Sequence, residues 1–151
     1  MKKLICVGKI KEKYLKEALD EYQKRLSKYT KLDIIELPDV NYNDCDKCKK
    51  EEGENILKHI KDKDFVITLD INGQSVTSLE LASKLAQFES ENSNLTFIIG
   101  GSYGLSDEVK QRSNYALSFS KLTFPHQLFR VILLEQLYRS YKIRNNESYH
   151  K

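Results

Sequence analysis

Three loops and a tail hold the residues of this chain that could do chemistry. The stretch LSFSKLTFPHQLFR, residues 117–130, passes from a strand-like run straight into a strongly apolar helix. A routine strand-to-helix turn offers Asp, Asn or Gly and a capping side chain. This junction offers a hydroxyl, a lysine, an aromatic ring, a proline and a histidine instead. The stretch IIGGSYGL, residues 98–105, has glycines at 100, 101 and 104, which let backbone approach a ligand closely and permit positive φ. It fits neither G-x-G-x-x-G nor the GxxxxGKS/T phosphate loop, and alone it reads equally well as a tight turn. The third loop is TLDING, residues 68–73.

On the helix after the junction, His126 and Arg130 stand four residues apart and share a face at the loop end. Glu135 and Arg139 follow in the order that favours an intrahelical salt bridge, and we read them so. The tail RNNESYHK carries Tyr149, a stacking surface, His150, a titratable group, and Lys151, a cation. A polar tail after a helix ordinarily frays. Cys45 and Cys48 form a single C-x-x-C with no second cysteine or histidine pair, so we read them as incidental and expect no metal. Three cysteines are also an odd number for a disulfide framework, which points to a cytoplasmic protein.

The elements that must position these loops alternate along the chain. KKLICVGKI, KLDIIELPD, DFVITLDI, NLTFIIGG and NYALSFS read as strands. Between them lie helical patterns: Tyr14, Leu15, Ala18, Leu19, Tyr22 and Leu26 recur at helical spacing. A polar helix over 44–63 contains Gly53, which costs about 1 kcal/mol relative to Ala and predicts a kink or a frayed end. NGQS reads as a turn, Ser78 as the N-cap of the next helix, and Ser106 as the cap of a short one. This order predicts an α/β fold: one domain over 1–151, with a parallel sheet flanked by helices on both faces. In such sheets ligands bind beyond the carboxyl ends of strands, where all three loops emerge. The last helix, from Pro125, is apolar nearly all the way round. One side therefore faces the sheet, and the other, including Leu133 and Leu137, is expected to face a second copy across a two-fold axis.

With 151 residues the chain can bury a core without disulfide or metal. No apolar run is long enough to span a bilayer, and the basic, then briefly apolar N-terminus reads as a first strand, so no membrane role is expected. The net charge of +3 hides an asymmetry: residues 1–31 carry +6, 32–105 carry −7 and 106–151 carry +4. Two basic ends suit an anionic partner.

Together, IGGSYGL, LSFSKLTFPHQLFRVILLEQLYR and the terminal YHK resemble the small SPOUT-class methyltransferases that modify N3 of a pseudouridine in large-subunit ribosomal RNA. The resemblance spans the whole chain, including VGKIKEKYLKEALDEYQKRL near its start. It implies a homodimer whose C-terminal part, roughly 65–151, is threaded into a deep trefoil knot. It implies S-adenosyl-L-methionine as methyl donor, without a metal, and 23S rRNA within the 70S ribosome as substrate. Carried over by position, the donor site comprises Leu69, Gly100, Phe119, Ser120, Lys121, Leu122, Thr123 and Phe124. The acceptor nitrogen must lose a proton, so His126 and His150 are candidate bases, with Arg130 and Arg139 to hold phosphate or a pyrimidine carbonyl and Tyr149 at the composite site. Where relatives end in Tyr-His-Arg, Lys151 lacks the bidentate fork. The other reading is a ribosome-binding or assembly factor without catalysis.

Overall fold

Alternate side chains of the first strand, β1 (Lys2–Val7), point to opposite faces and enter two separate cores. Leu4 and Cys6 join one, Ile5 and Val7 the other. A strand buried on both faces must be covered by helices on both, and the computed structural model, which describes residues 1–149, shows this arrangement. The elements after β1 are α1 (Lys13–Leu26), β2 (Leu32–Leu37), α2 (Cys45–Leu57), β3 (Phe65–Ser75) and α3 (Ser78–Glu91). Then come β4 (Leu95–Ile99), α4 (Asp107–Arg112), β5 (Tyr115–Ser118) and α5 (His126–Arg144). The five strands form one parallel sheet in the order β2-β1-β4-β3-β5. Residues of α1, α3 and α5 fill the larger core, and residues of α2 and α4 fill the smaller. The expected α/β domain with a covered parallel sheet is the observed one. Among the described residues no helix is long and apolar enough to cross a membrane.

Several local expectations need correction. The N-cap of α3 is Thr77, whose hydroxyl accepts from the Glu80 N–H while the Glu80 carboxylate accepts from the Thr77 N–H. Ser78 instead donates its hydroxyl to Gln136 on α5. Ser106 does cap α4, as expected. The segment NGQS does not end β3. Leu69 and Gln74 both pair with Leu117, so residues 70–73 bulge between two paired stretches of one strand. Gly73 is needed there, since a Cβ would fall 2.6 Å from the Ala116 backbone.

Gly53 lies within an unbroken α2, but the helix ends at Leu57 rather than at 63. Gly53 is buried, and a Cβ on it would stand 2.2 Å from Ser106 Oγ. The glycine sets how closely α2 meets the cap of α4. In α5, Leu133 and Leu137 are buried within this chain, at 0% and 4% exposed, and cannot lie on an intersubunit face. The helix lies between α1 and α3 and uses much of its apolar circumference there. Leu128, at 37%, remains exposed.

The end of α5 is closed by a Schellman turn. Asn146 has φ +53, its N–H bonds the Ile143 carbonyl, and the Glu147 N–H bonds the Lys142 carbonyl at 2.8 Å. The chain then runs back along its own helix. Glu147 accepts from the Tyr29 hydroxyl and Lys142 Nζ, and the Tyr149 hydroxyl donates to Glu135 at 3.0 Å. Up to Tyr149, then, the tail is built rather than frayed.

Helix propensity alone would have Gly53→Ala stabilise the protein by about 1 kcal/mol. The contact with Ser106 reverses the sign: overpacking should destabilise it by about 1–3 kcal/mol. Urea denaturation of the two proteins measures which holds.

Candidate functional site

β4, β3 and β5 are neighbours in the sheet, so their carboxyl ends open side by side. There they enclose a cavity of about 550 Å³, which lies within the size range of small-molecule sites. Leu69 and the 70–72 bulge of β3 form one wall, and the 99–105 segment after β4 forms another. The 119–125 junction closes it, with His126 and Phe129 of α5 beside it.

Each wall has a local reason for its shape. In the glycine turn, Gly101 and Gly104 pair as an antiparallel bridge, and the Gly104 N–H donates to the Gly101 carbonyl at 3.0 Å. Gly104 takes φ +87, which favours glycine. Gly100 is required by the turn itself: a Cβ there would meet Leu105 Cδ2 at 2.8 Å and Gly104 backbone at 3.0 Å. The junction is pinned by side-chain bonds within it. The Ser118 hydroxyl donates to the Ser120 carbonyl, and the Leu122 N–H donates to Ser120 Oγ at 3.0 Å. Phe119 and Phe124 both rest on the Phe129 ring, at 5.1 and 5.8 Å between centroids. Leu122 is left 70% exposed, an apolar side chain over an open cavity. Pro125 takes the N-cap position, just before the first helical residue, rather than a place within the first turn.

Of the residues singled out in the sequence, Leu69, Gly100, Phe119, Ser120, Leu122, Thr123, Phe124 and His126 line this one cavity. Lys121 belongs to the same loop but does not line it. The His126 ring also reaches Gly8 at the end of β1. A Cβ on Gly8 would fall 3.2 Å from His126 Nε2 and 3.0 Å from an Asp39 carboxylate oxygen. Gly8 has φ +93, so glycine suits it on both counts.

Arg130 is elsewhere. It is 0% exposed, and its guanidinium donates to the carbonyls of Val7 and Gly8, at 2.9 and 2.6 Å, and to Glu36 at 2.8 Å. So placed it has no access to a phosphate, and the expectation that it does is corrected. Arginine can occupy this site because its fork reaches three acceptors at once. The burial around it also pushes the Cys6 thiol up to about 11, with Arg130 opposing and Glu36 reinforcing the shift.

Arg139 pairs with Glu135 at 2.8 Å, as expected, and its guanidinium lies 4.9 Å from the Tyr149 ring centroid. Tyr149 also packs edge-on against Tyr138 at 4.9 Å. Burial pushes its hydroxyl up strongly, and the bonds to Tyr22 and Glu135 push the same way. Its anchor Glu135 lies nine residues along α5 from His126, an axial distance of about 13.5 Å. Tyr149 is therefore not part of its own chain's cavity. His150 and Lys151 lie outside the described residues.

Asp70, Asn72 and Tyr103 line the cavity from loops already chosen in the sequence, whereas nothing in the sequence pointed to Lys49 or Lys110. Lys49 arrives from α2, a polar helix whose sequence carries no ligand signal. Cys48 is fully buried, and its sulfur accepts the Tyr42 N–H, which is a structural role. No cluster of three or more potential metal ligands occurs among the described residues.

Comparison with known proteins puts this geometry in context. The family described as "Predicted SPOUT methyltransferase" matches residues 1–150. Proteins named "Ribosomal RNA large subunit methyltransferase H" from Clostridium botulinum (strain 657 / Type Ba4), Clostridium novyi (strain NT) and Clostridium tetani (strain Massachusetts / E88) are each 56% identical to this chain. Each alignment covers 98% of both sequences. Among solved structures, a probable methylase family protein from Haemophilus influenzae Rd KW20 superposes with a TM-score of 0.58. It shares 15% identity and covers 99% of this chain and 70% of its own, a likeness of fold.

Arg130→Met should leave Glu36 without its counter-ion and two buried carbonyls without donors. Glu36 is partly solvated, so the loss comes mainly from the two carbonyls, at about 1–3 kcal/mol each. Arg130→Lys should recover only part of it, because one ammonium cannot span the three acceptors. Urea denaturation midpoints of the three proteins check both statements.

Proposed function

The chain belongs to the SPOUT methyltransferase family, and from that premise we propose that it methylates N3 of a pseudouridine in 23S rRNA of the assembled ribosome, in the cytoplasm, with S-adenosylmethionine as donor. The observation that carries this reading is the convergence of the three loops on one cavity, at the carboxyl ends of three adjacent strands. The donor group fits the residues present. Exposed Leu122 and the faces of Phe119, Phe124 and Phe129 suit an adenine ring and a sulfonium cation, which aromatic faces attract. The glycine turn offers backbone free of side chains.

The donor supplies an electrophilic methyl group, so the protein need only align acceptor with donor and manage one proton. Leu69, Gly100 and the 119–124 junction bind and orient. His126 stands at the cavity wall beside Gly8, where it can take the imide proton from N3. Lys49 and Lys110 put positive charge at the cavity, which suits a phosphate backbone.

The same reading makes the protein a homodimer with a knotted C-terminal part, roughly 65–151. Leu128 at the start of α5 is an exposed apolar side chain suited to an intersubunit face, in place of the buried Leu133 and Leu137. It also gives the tail a role across the dimer, with Tyr149 and His150 serving the partner's cavity and Lys151 meeting phosphate. Tyr149 is far from its own cavity, which supports this.

Labelled-methyl transfer to free 23S rRNA, 50S subunits and 70S ribosomes tests the function. Incorporation into 70S particles is expected. None into any substrate, with ribosome binding intact, would favour the assembly-factor reading. Deleting Tyr149–Lys151 should lower the melting temperature by a few degrees, through loss of the Tyr149 contacts with Glu135, Tyr138 and Arg139. Donor affinity should hold and methylation should be lost. A mixed dimer, pairing a tail-deleted subunit with a full-length Gly100→Val subunit, should retain one working site if the tail acts across the dimer, and none if it acts within its own chain.

A further inference from the structure

Glu52 is a buried carboxyl for which the reading above has no use. It lies on α2, 4% exposed, three residues after Lys49 of the cavity wall. Oε2 accepts the Val40 N–H at 3.1 Å, from the loop after β2. Oε1 has no hydrogen-bond partner among the described residues. It faces the glycine turn: a Cβ on Gly101 would fall 2.9 Å from it. The next residue, Gly53, meets the other end of that segment, where Ser106 caps α4. Two consecutive residues of α2 thus press on both ends of the 101–106 segment.

A carboxyl is an expensive way to fill such a space. Burying one with an oxygen unpaired costs stability, and leucine would pack as well without that penalty. Burial accordingly pushes the Glu52 carboxyl up, the Val40 N–H opposes this, and Asp39 and Glu51 add to it. The retained feature is a free acceptor, held rigidly behind a loop that must grip a ligand.

We propose that Glu52 is a positioning residue of the methyl-donor site, tied to Val40 through Oε2, whose free Oε1 accepts a backbone N–H of the glycine turn when that turn takes its donor-binding shape. It acts through the turn, since it does not itself line the cavity. The proposal rests on the donor reading of that cavity.

Calorimetric titration of the full-length protein with S-adenosylmethionine tests it, with far-UV circular dichroism and a cooperative melt to confirm folding. Glu52→Gln keeps an acceptor for Val40 but turns an NH2, which cannot accept, toward Gly101. Glu52→Leu keeps the bulk alone, and Glu52→Asp keeps the charge but retracts it by one methylene. All three should weaken donor binding about tenfold or more. In the transfer assay the Asp variant should show a raised donor KM with kcat restored at saturation, a split that general destabilisation would not produce. Folded variants that bind the donor as wild type does would overturn the proposal. If the Leu variant does not fold, the Asp and Gln pair decides alone. Wild-type protein that binds no donor would instead overturn the donor reading itself.

Discussion

The guanidinium of Arg130 lies wholly inside the protein, where the start of α5 meets the ends of β1 and β2. Parallel strands end by pointing carbonyl groups out of the sheet, and Val7 and Gly8 do so into a region closed to water. Unpaired, those oxygens would oppose burial of the helix above them. Arg130 pairs them and brings its own counter-ion, Glu36, which also accepts the Ile10 N–H. One side chain therefore fixes how α5 enters the fold. One turn earlier on the same helix, His126 is carried to the cavity wall against Gly8, and one residue before Arg130, Phe129 supports both aromatic rings of the junction. Scaffold and site share this ion pair, which is why an arginine that looked like a nucleic-acid contact belongs to the interior.

Much of the scaffold was legible because periodicity reports burial directly. The β1 segment alternates between two cores, and β4 is buried at every position, as strands covered on both faces must be. The errors share one cause, in that they concern contacts between elements distant in sequence. Thr77 and Ser78 are both good caps, and only the position of Gln136 on α5 leaves Ser78 otherwise engaged. Gly53 looks like a defect in a helix until Ser106 is seen against it. Leu133 and Leu137 look surplus to a helix with one covered side, but α1 and α3 cover α5 from both flanks.

The site was legible to a similar depth. Its loops could be chosen because topology sends the ends of β3, β4 and β5 to one edge, and glycine and proline mark where backbone leaves the ordinary regions. Lys49 and Glu52 could not be chosen, for a physical reason. They act from a helix on the far side of the sheet order, and nothing within α2 distinguishes them from their charged neighbours. The family resemblance supplied residue positions, but not that Gly100 is demanded by Leu105 and Gly104 as well as by any ligand.

The reversal at Asn146 bears on how a large substrate could be engaged. Once the chain has turned, Tyr29, Lys142, Glu135 and Tyr138 hold Glu147 and Tyr149, and all of these contacts form during folding. A free tail would have to be immobilised at the moment of docking, at about 0.5–1.5 kcal/mol of lost rotamer freedom for each side chain held. Here that ordering is complete beforehand for every residue up to Tyr149. A partner surface that touches this aromatic ring thus meets a rigid template, and its association is relieved of an entropic penalty that a small protein with a limited contact area could ill sustain.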